Sequence, residues 1–154
     1  MKPVRILFVC LGNICRSPLA EGVMRHMAGD RPIQVDSAGT GSWHIGDPPD
    51  RRSIAVASKH GIDISAQRGR TFGRSDFDDF DLILAMDHDN LAKLEAIMPA
   101  KARARVHLFM AYILGQATDV PDPYYEGPEG FERVYSMLSE GCSSLVAKLE
   151  EIGS

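Results

Sequence analysis

A chain of 154 residues is long enough for one domain with a sizeable buried core. Its 44% hydrophobic and 25% charged residues suit a soluble globular fold, and a net charge of −4 without any Lys/Arg block argues against nucleic acid as a partner. The apolar run from Val4 to Leu11 is too short for a membrane span and lacks the sequel of a signal peptide.

Cys10, Cys15 and Cys142 form an odd set without the spacing of a secreted scaffold, so reduced thiols and a cytoplasmic location are expected, with signal-independent export left open. No metal is expected, because His26, His44, His60, His88 and His107 are scattered and form no ligand spacing with the cysteines.

Val4–Cys10, apolar and rich in β-branched and aromatic side chains, reads as a strand buried on both faces. Gly12 and Asn13 break it. Ser17 and Pro18 then suit a helix start, Ser17 as its cap and Pro18 at the first position, where a missing N–H costs nothing. This helix runs to about Ala28 and stops at Gly29. A second strand spans 33–36 and leads into the turn-rich loop 37–41. A helix over 50–59 ends at Gly61, a C-terminal cap residue. Further on, a strand is expected over 81–86, a helix over 89–98, and a fourth strand over 105–109. Residues 118–130 form a polar loop with three prolines. Apolar residues from Phe131 to Ile152 then recur every three or four positions, as in an amphipathic helix.

This alternation predicts an α/β fold: a single-domain three-layer sandwich over 1–154, with a parallel sheet of about four strands and helices on both faces. Ligands of such sheets bind beyond the carboxyl ends of the strands. The loops of interest are therefore 10–17, 37–49, 86–88 and 118–130.

The first of these reads Cys10-Leu11-Gly12-Asn13-Ile14-Cys15-Arg16-Ser17. Gly12 would let successive amides curl around one anion, and the following helix N-terminus adds N–H donors and partial positive charge. Arg16 supplies a planar fork for two phosphate oxygens. The same field favours the thiolate of Cys10, making it a candidate nucleophile, and Ser17 could donate a hydrogen bond to that sulfur. A dinucleotide fingerprint is excluded, since the loop holds one glycine and not three.

Thiolate attack on a phosphate ester must expel an alkoxide or phenolate, which calls for a general acid. Asp122 is the candidate: it lies between Pro121 and Pro123, which restrict its backbone, and Tyr124 and Tyr125 follow it. Trp43, the single tryptophan, could stack on an aromatic substrate ring, and Leu11 could form another wall. Walls of this size would admit a phosphotyrosine ring and hold phosphoserine too far from the thiolate.

These residues resemble the low-molecular-weight protein tyrosine phosphatases. The resemblance spans Val9 to Pro18, Asp36-Ser37-Ala38-Gly39, Trp43, His60-Gly61-Ile62, Met86-Asp87 and Asp122-Pro123-Tyr124-Tyr125. It implies a phosphocysteine intermediate on Cys10, with Asp122 as acid and then base, and no cofactor. It gives Asn13 and Ser37 a hydrogen-bond network supporting the loop, and Cys15 a reversible disulfide with Cys10. The implied partners are phosphotyrosine proteins or small aryl phosphates, with a tyrosine kinase as the opposing enzyme; in some relatives the paired tyrosines are themselves phosphorylated. The chain departs from the pattern at Ala66, where many members place a histidine in the support network. Support of the loop is then looser or comes from elsewhere.

Three alternatives stand beside this reading. Arsenate reductases share such a loop but need further cysteines, and none lies between Cys15 and Cys142. Arginine phosphatases are similar except for a smaller polar residue at the place of Ile14. A non-catalytic phosphopeptide-binding module would keep Arg16 but has no use for both Cys10 and Asp122.

Overall fold

Strand β1 (Val4–Cys10) lies inside a four-stranded, wholly parallel sheet, between β2 (Ile33–Gly39) and β3 (Leu82–Ala85), with β4 (Arg105–Leu108) at the far edge. Among the described residues six helices follow: α1 (Arg16–Ala28), α2 (Arg51–Lys59), α3 (Asp76–Asp79), α4 (His88–Ile97), α5 (Phe109–Leu114) and α6 (Pro128–Gly153). This computed structural model describes residues 3–153; the side chain of Ile152, expected on the stripe of α6, lies outside the described residues.

Side chains alternate between the two faces of a strand, so an all-apolar strand must be covered twice. Ile6 and Phe8 of β1, with Leu82 and Leu84 of β3, pack under α1, α2, α5 and α6. Leu7 and Val9, with Ile83 and Ala85, face Phe77 of α3 and Leu94 of α4. The three layers follow directly. From β1 the chain crosses through α1 to β2 on one side, then returns past β1 to β3 on the other. The carboxyl end of β1 is thus the switch point of the sheet, where the flanking loops diverge and leave a crevice. Cys10 is the last residue of that strand.

Several elements differ from the expectation. β2 continues three residues past Asp36, because Ser37, Ala38 and Gly39 pair with Phe8, Val9 and Cys10 despite their weak strand preference. Helix α1 starts at Arg16 with Cys15 as N-cap and no side-chain cap. Ser17 is therefore not a cap; it lies within the first turn, fully buried. The left-handed residue of the loop is Asn13 (φ 57°), not Gly12. Asparagine tolerates this conformation through local hydrogen bonding. α3 and α5 were not expected, and α6 begins at Pro128, a favoured first helical residue, instead of Phe131. Gly29 and Gly61 do end helices with positive φ. Among the described residues, no helix is long and apolar enough to cross a membrane.

Candidate active site

The loop from Cys10 to Arg16 is turned inside out relative to ordinary backbone: its carbonyls are held from outside. Cys10 O accepts from Thr40 N–H, Leu11 O from Gly41 N–H, and Ile14 O from Asp50 N–H, at 2.8–2.9 Å. Cys15 O accepts from Ser53 Oγ at 3.3 Å. The N–H groups of Leu11 to Cys15 find no protein acceptor among the described residues. Successive free amides of this kind form an anion cradle. Gly39 makes the close approach possible, since a Cβ there would stand 2.8 Å from Leu11 O and 3.1 Å from the carbonyl carbon of Gly12.

Beneath the cradle runs a buried chain of hydrogen bonds. Asn13 Oδ1 accepts from Arg70 N–H at 3.0 Å, which fixes the orientation of its amide. Its Nδ2 then donates to Ser17 Oγ at 2.8 Å and to Ser37 Oγ at 3.0 Å. Ser37 Oγ in turn donates a hydrogen bond to Glu21 Oε1 at 2.7 Å. Ser17, already accepting from Asn13, has its proton left for Cys10 Sγ, 3.0 Å away. The chain thus ends with the Ser17 hydroxyl proton directed at Cys10 Sγ. Ala66 is exposed and takes no part. In place of a histidine, support comes from the Arg70 amide and from Glu21, whose outer oxygen pairs with Arg25 at 2.7 Å.

Arg16 is buried, with its Nη1 donating to Asp87 Oδ2 at 2.6 Å and to Val120 O at 3.0 Å. Burial works against its charge, but Cys10, Asp87 and Asp122 outweigh this and raise its pKa above the ordinary arginine value. Its Nη2 stands 3.7 Å from Asp122 Oδ2. Asp122 is exposed, and its Oδ1 accepts from Tyr124 N–H at 3.1 Å, an Asx turn that holds the carboxylate above the loop.

These groups meet in one cavity of about 260 Å³. Cys10, Arg16 and Asp122 line it together with Gly12, Ile14 and Cys15 of the loop, while Leu11, Trp43, Tyr124 and Tyr125 form the walls. Trp43 (71% exposed) and Tyr125 (96%) stand out into solvent at the mouth, and Tyr124, 40% exposed, meets Tyr125 edge-on. The side chains of Asn13 and Ser17, expected among the substrate-binding residues, lie below the cradle and do not line the cavity; they form a support with Ser37, which was expected in that role. His44 lines the cavity although its sequence context gave no sign of it; its Nδ1 is 3.1 Å from Asp47. Glu21, Arg70 and the Val120 carbonyl were likewise missed, and Asp87, though within the loop 86–88 of interest, was given no role, because each acts through a contact far along the chain. Among the described residues, no group of three or more His, Cys, Asp or Glu side chains is placed to hold a metal ion.

Burial, then Asp50 and Cys10, push the Cys15 thiol up to about 12 from its ordinary 9.0. Cys142, wholly buried in the α6 core, is also raised by burial. Both are free thiols. A thiol whose pKa is higher folded than unfolded contributes stability below the unfolded value and loses it as pH rises to the folded one. Unfolding free energy is therefore expected to fall between pH 9.0 and about 12, and Cys15→Ala to flatten part of that fall in urea titrations at several pH values.

The family model described as "low molecular weight phosphotyrosine protein phosphatase" matches residues 5–153. The chain belongs to this family. It is 39% identical over 153 residues to the low molecular weight protein-tyrosine-phosphatase YfkJ of Bacillus subtilis, covering 96% of this chain and 97% of that protein. Within the family, its fold superposes on a protein tyrosine phosphatase from Entamoeba histolytica with a TM-score of 0.90 at 39% identity, covering 98% of this chain and 99% of the other. A Drosophila arginine phosphatase, DARP, is also similar, with a TM-score of 0.86 at 36% identity over 100% of this chain and 99% of that one.

Proposed function

We propose that this member of the family is a protein tyrosine phosphatase that works through a phosphocysteine intermediate on Cys10. The observation that carries this reading is the set of free amides from Leu11 to Cys15, curled at one cavity with Cys10, Arg16 and Asp122. In the first step Cys10 Sγ forms a bond to phosphorus as the bond to the phenolic oxygen breaks, and the Asp122 carboxyl gives its proton to the departing oxygen. The cradle amides and Arg16 hold the charge on the three transferring oxygens throughout. In the second step Asp122, now ionised, takes a proton from water as its oxygen attacks phosphorus. The S–P bond breaks, and Ser17 stabilises the returning thiolate through its hydrogen bond. Trp43 and Tyr124 offer faces to the phenyl ring. Phosphotyrosine proteins or aryl phosphates are the substrates, and a tyrosine kinase is the opposing enzyme.

The similarity to an arginine phosphatase keeps dephosphorylation of arginine as a second reading, and Ile14 on the cavity weighs against it. Ile14 offers the phosphoryl-bearing group an apolar neighbour, which suits a phenyl ester better than a guanidinium. Arsenate reduction would need a second thiol at the cavity besides Cys15, and Cys142 instead lies in the core with its Sγ 4.0 Å from Ala20 O.

The test is hydrolysis of phosphotyrosine, phosphoserine and phosphoarginine peptides in EDTA, with Asp122→Asn in parallel on aryl phosphates of differing leaving groups. Turnover of phosphotyrosine alone is expected. Asp122→Asn is expected to lose about a hundredfold on phenyl phosphate and much less on an activated nitrophenyl ester. Faster turnover of phosphoarginine would put the second reading first, and equal losses across leaving groups would remove Asp122 as the acid.

A further inference from the structure

We infer that Arg52 is a positioning residue for the general acid, clamping the far end of the 119–126 loop to the helix that also ties down the phosphate cradle. The inference rests on the reading of Asp122 as the acid.

Asp122 sits on a strap with two ends. The near end is anchored in the core: Val120 N–H donates to Met86 O at 2.8 Å, Val120 O accepts from Arg16 at 3.0 Å, and His88 pairs with Asp119 at 2.6 Å. The far end is held by Arg52 of α2. Its Nη1 donates to Glu126 O at 3.1 Å, and its guanidinium lies 5.4 Å from the ring centre of Tyr124 and 4.5 Å from that of Phe131. Between the anchors the strap is closed on itself by Tyr124 N–H to Asp122 and Glu126 N–H to Pro123 O, and Asp122 stands 3.7 Å from Arg16 Nη2.

The guanidinium is not free to follow the strap. Nε and Nη2 grip both oxygens of Asp50 at 3.0 and 2.9 Å, a bidentate pair of fixed geometry. Asp50 is in turn the N-cap of α2, accepting from Arg52 N–H at 2.8 Å, and its own N–H donates to Ile14 O in the cradle at 2.8 Å. One residue pair therefore references the acid strap and the phosphate cradle to the same helix end. Shortening the Arg52 side chain releases the far end of the strap and so alters where Asp122 stands relative to the phosphorus, while the backbone N–H groups of Asp50 and Arg52 still hold Ile14 O and the helix cap. A misplacement of about 1 Å is enough to cost such a proton transfer much of its rate.

Lysine cannot replace this arginine, since one ammonium cannot hold two carboxylate oxygens, a carbonyl and two ring faces together. The experiment compares wild type, Arg52→Lys, Arg52→Ala, Asp122→Asn and the double variant Arg52→Lys/Asp122→Asn. It reads kcat on aryl phosphates spanning leaving-group pKa and the inhibition constant of inorganic phosphate. Arg52→Lys should lose about tenfold on phenyl phosphate and under about twofold on an activated ester, with phosphate inhibition unchanged. In the Asp122→Asn background the same change should add no further loss on phenyl phosphate. Losses equal for all leaving groups, weakened phosphate inhibition, or additive losses in the double variant would each overturn the assignment. Should Arg52→Ala fail to fold, Arg52→Lys still decides. If Asp122→Asn itself shows no leaving-group dependence, the underlying reading of the acid fails, and this is visible separately from any result at Arg52.

Discussion

Cys10→Ser is expected to remove at least 10⁴ of kcat on phosphotyrosine peptides while leaving the inhibition constant of phosphate or vanadate within about twofold. The sulfur is the one atom of the cavity floor that changes, and it is 3.0 Å from Ser17. A serine hydroxyl fits the same buried place and still finds Ser17, so the chain through Asn13, Ser37 and Glu21 is undisturbed. In the proposed mechanism anion binding belongs to the free amides of Leu11–Cys15 and to Arg16, none of which is altered. What is lost is the nucleophile, because an alcohol is a far weaker acid than a thiol and a much poorer nucleophile than a thiolate. Steady-state turnover and phosphate competition measure the two properties separately. Residual activity above about a hundredth would mean that another group attacks phosphorus. Loss of phosphate binding would mean that the thiolate is itself part of the cradle's support.

Why could so much of this be read from residues in order? The loop 10–17 is local: strand end, turn and helix start lie within eight positions, so their chemistry is visible together. The strands β1 and β3 are equally plain, since burial on both faces writes an unbroken apolar run. α5 was not legible, because Phe109–Leu114 follows β4 directly without a side-chain cap or breaker, and short apolar runs fit strand or helix alike. The extension of β2 over Ser37-Ala38-Gly39 is imposed by pairing with β1, and no propensity announces it. Ser17 illustrates the same limit. Its place before a proline suits a cap, yet the fold turns its hydroxyl inward to Cys10 and Asn13. Asp87, Glu21 and Arg52 remained hidden because their partners lie 71, 16 and 74 positions away, and only the closed sheet brings them together.

Arg16→Lys is expected to lower kcat/KM by about 10³, weaken phosphate inhibition at least tenfold, and cost about 2 kcal/mol of stability. The guanidinium has two jobs at once. Nη1 is committed to Asp87 at 2.6 Å and Val120 O at 3.0 Å, contacts that join β3, α4 and the acid strap. Nη2, 3.7 Å from Asp122, is the edge that faces the cavity. A lysine ammonium is a single point and must choose between these. If it stays with Asp87, the transferring oxygens lose their fork; if it turns to phosphate, Asp87 and the Val120 carbonyl lose a charged donor in a buried setting. Asp87→Asn separates the two roles. The amide can still accept from Asn90 N–H and so keep its place at the start of α4, now bound at 2.8 Å, but it no longer holds Arg16 by charge. This variant should retain more stability than Arg16→Lys and lose only about tenfold in kcat/KM, through a less well-aimed guanidinium. Thermal unfolding read alongside kinetics then decides: equal catalytic loss in both variants would make the Asp87 contact the whole of the arginine's contribution, whereas a far larger loss in Arg16→Lys means that the free edge of the fork carries the transition-state charge.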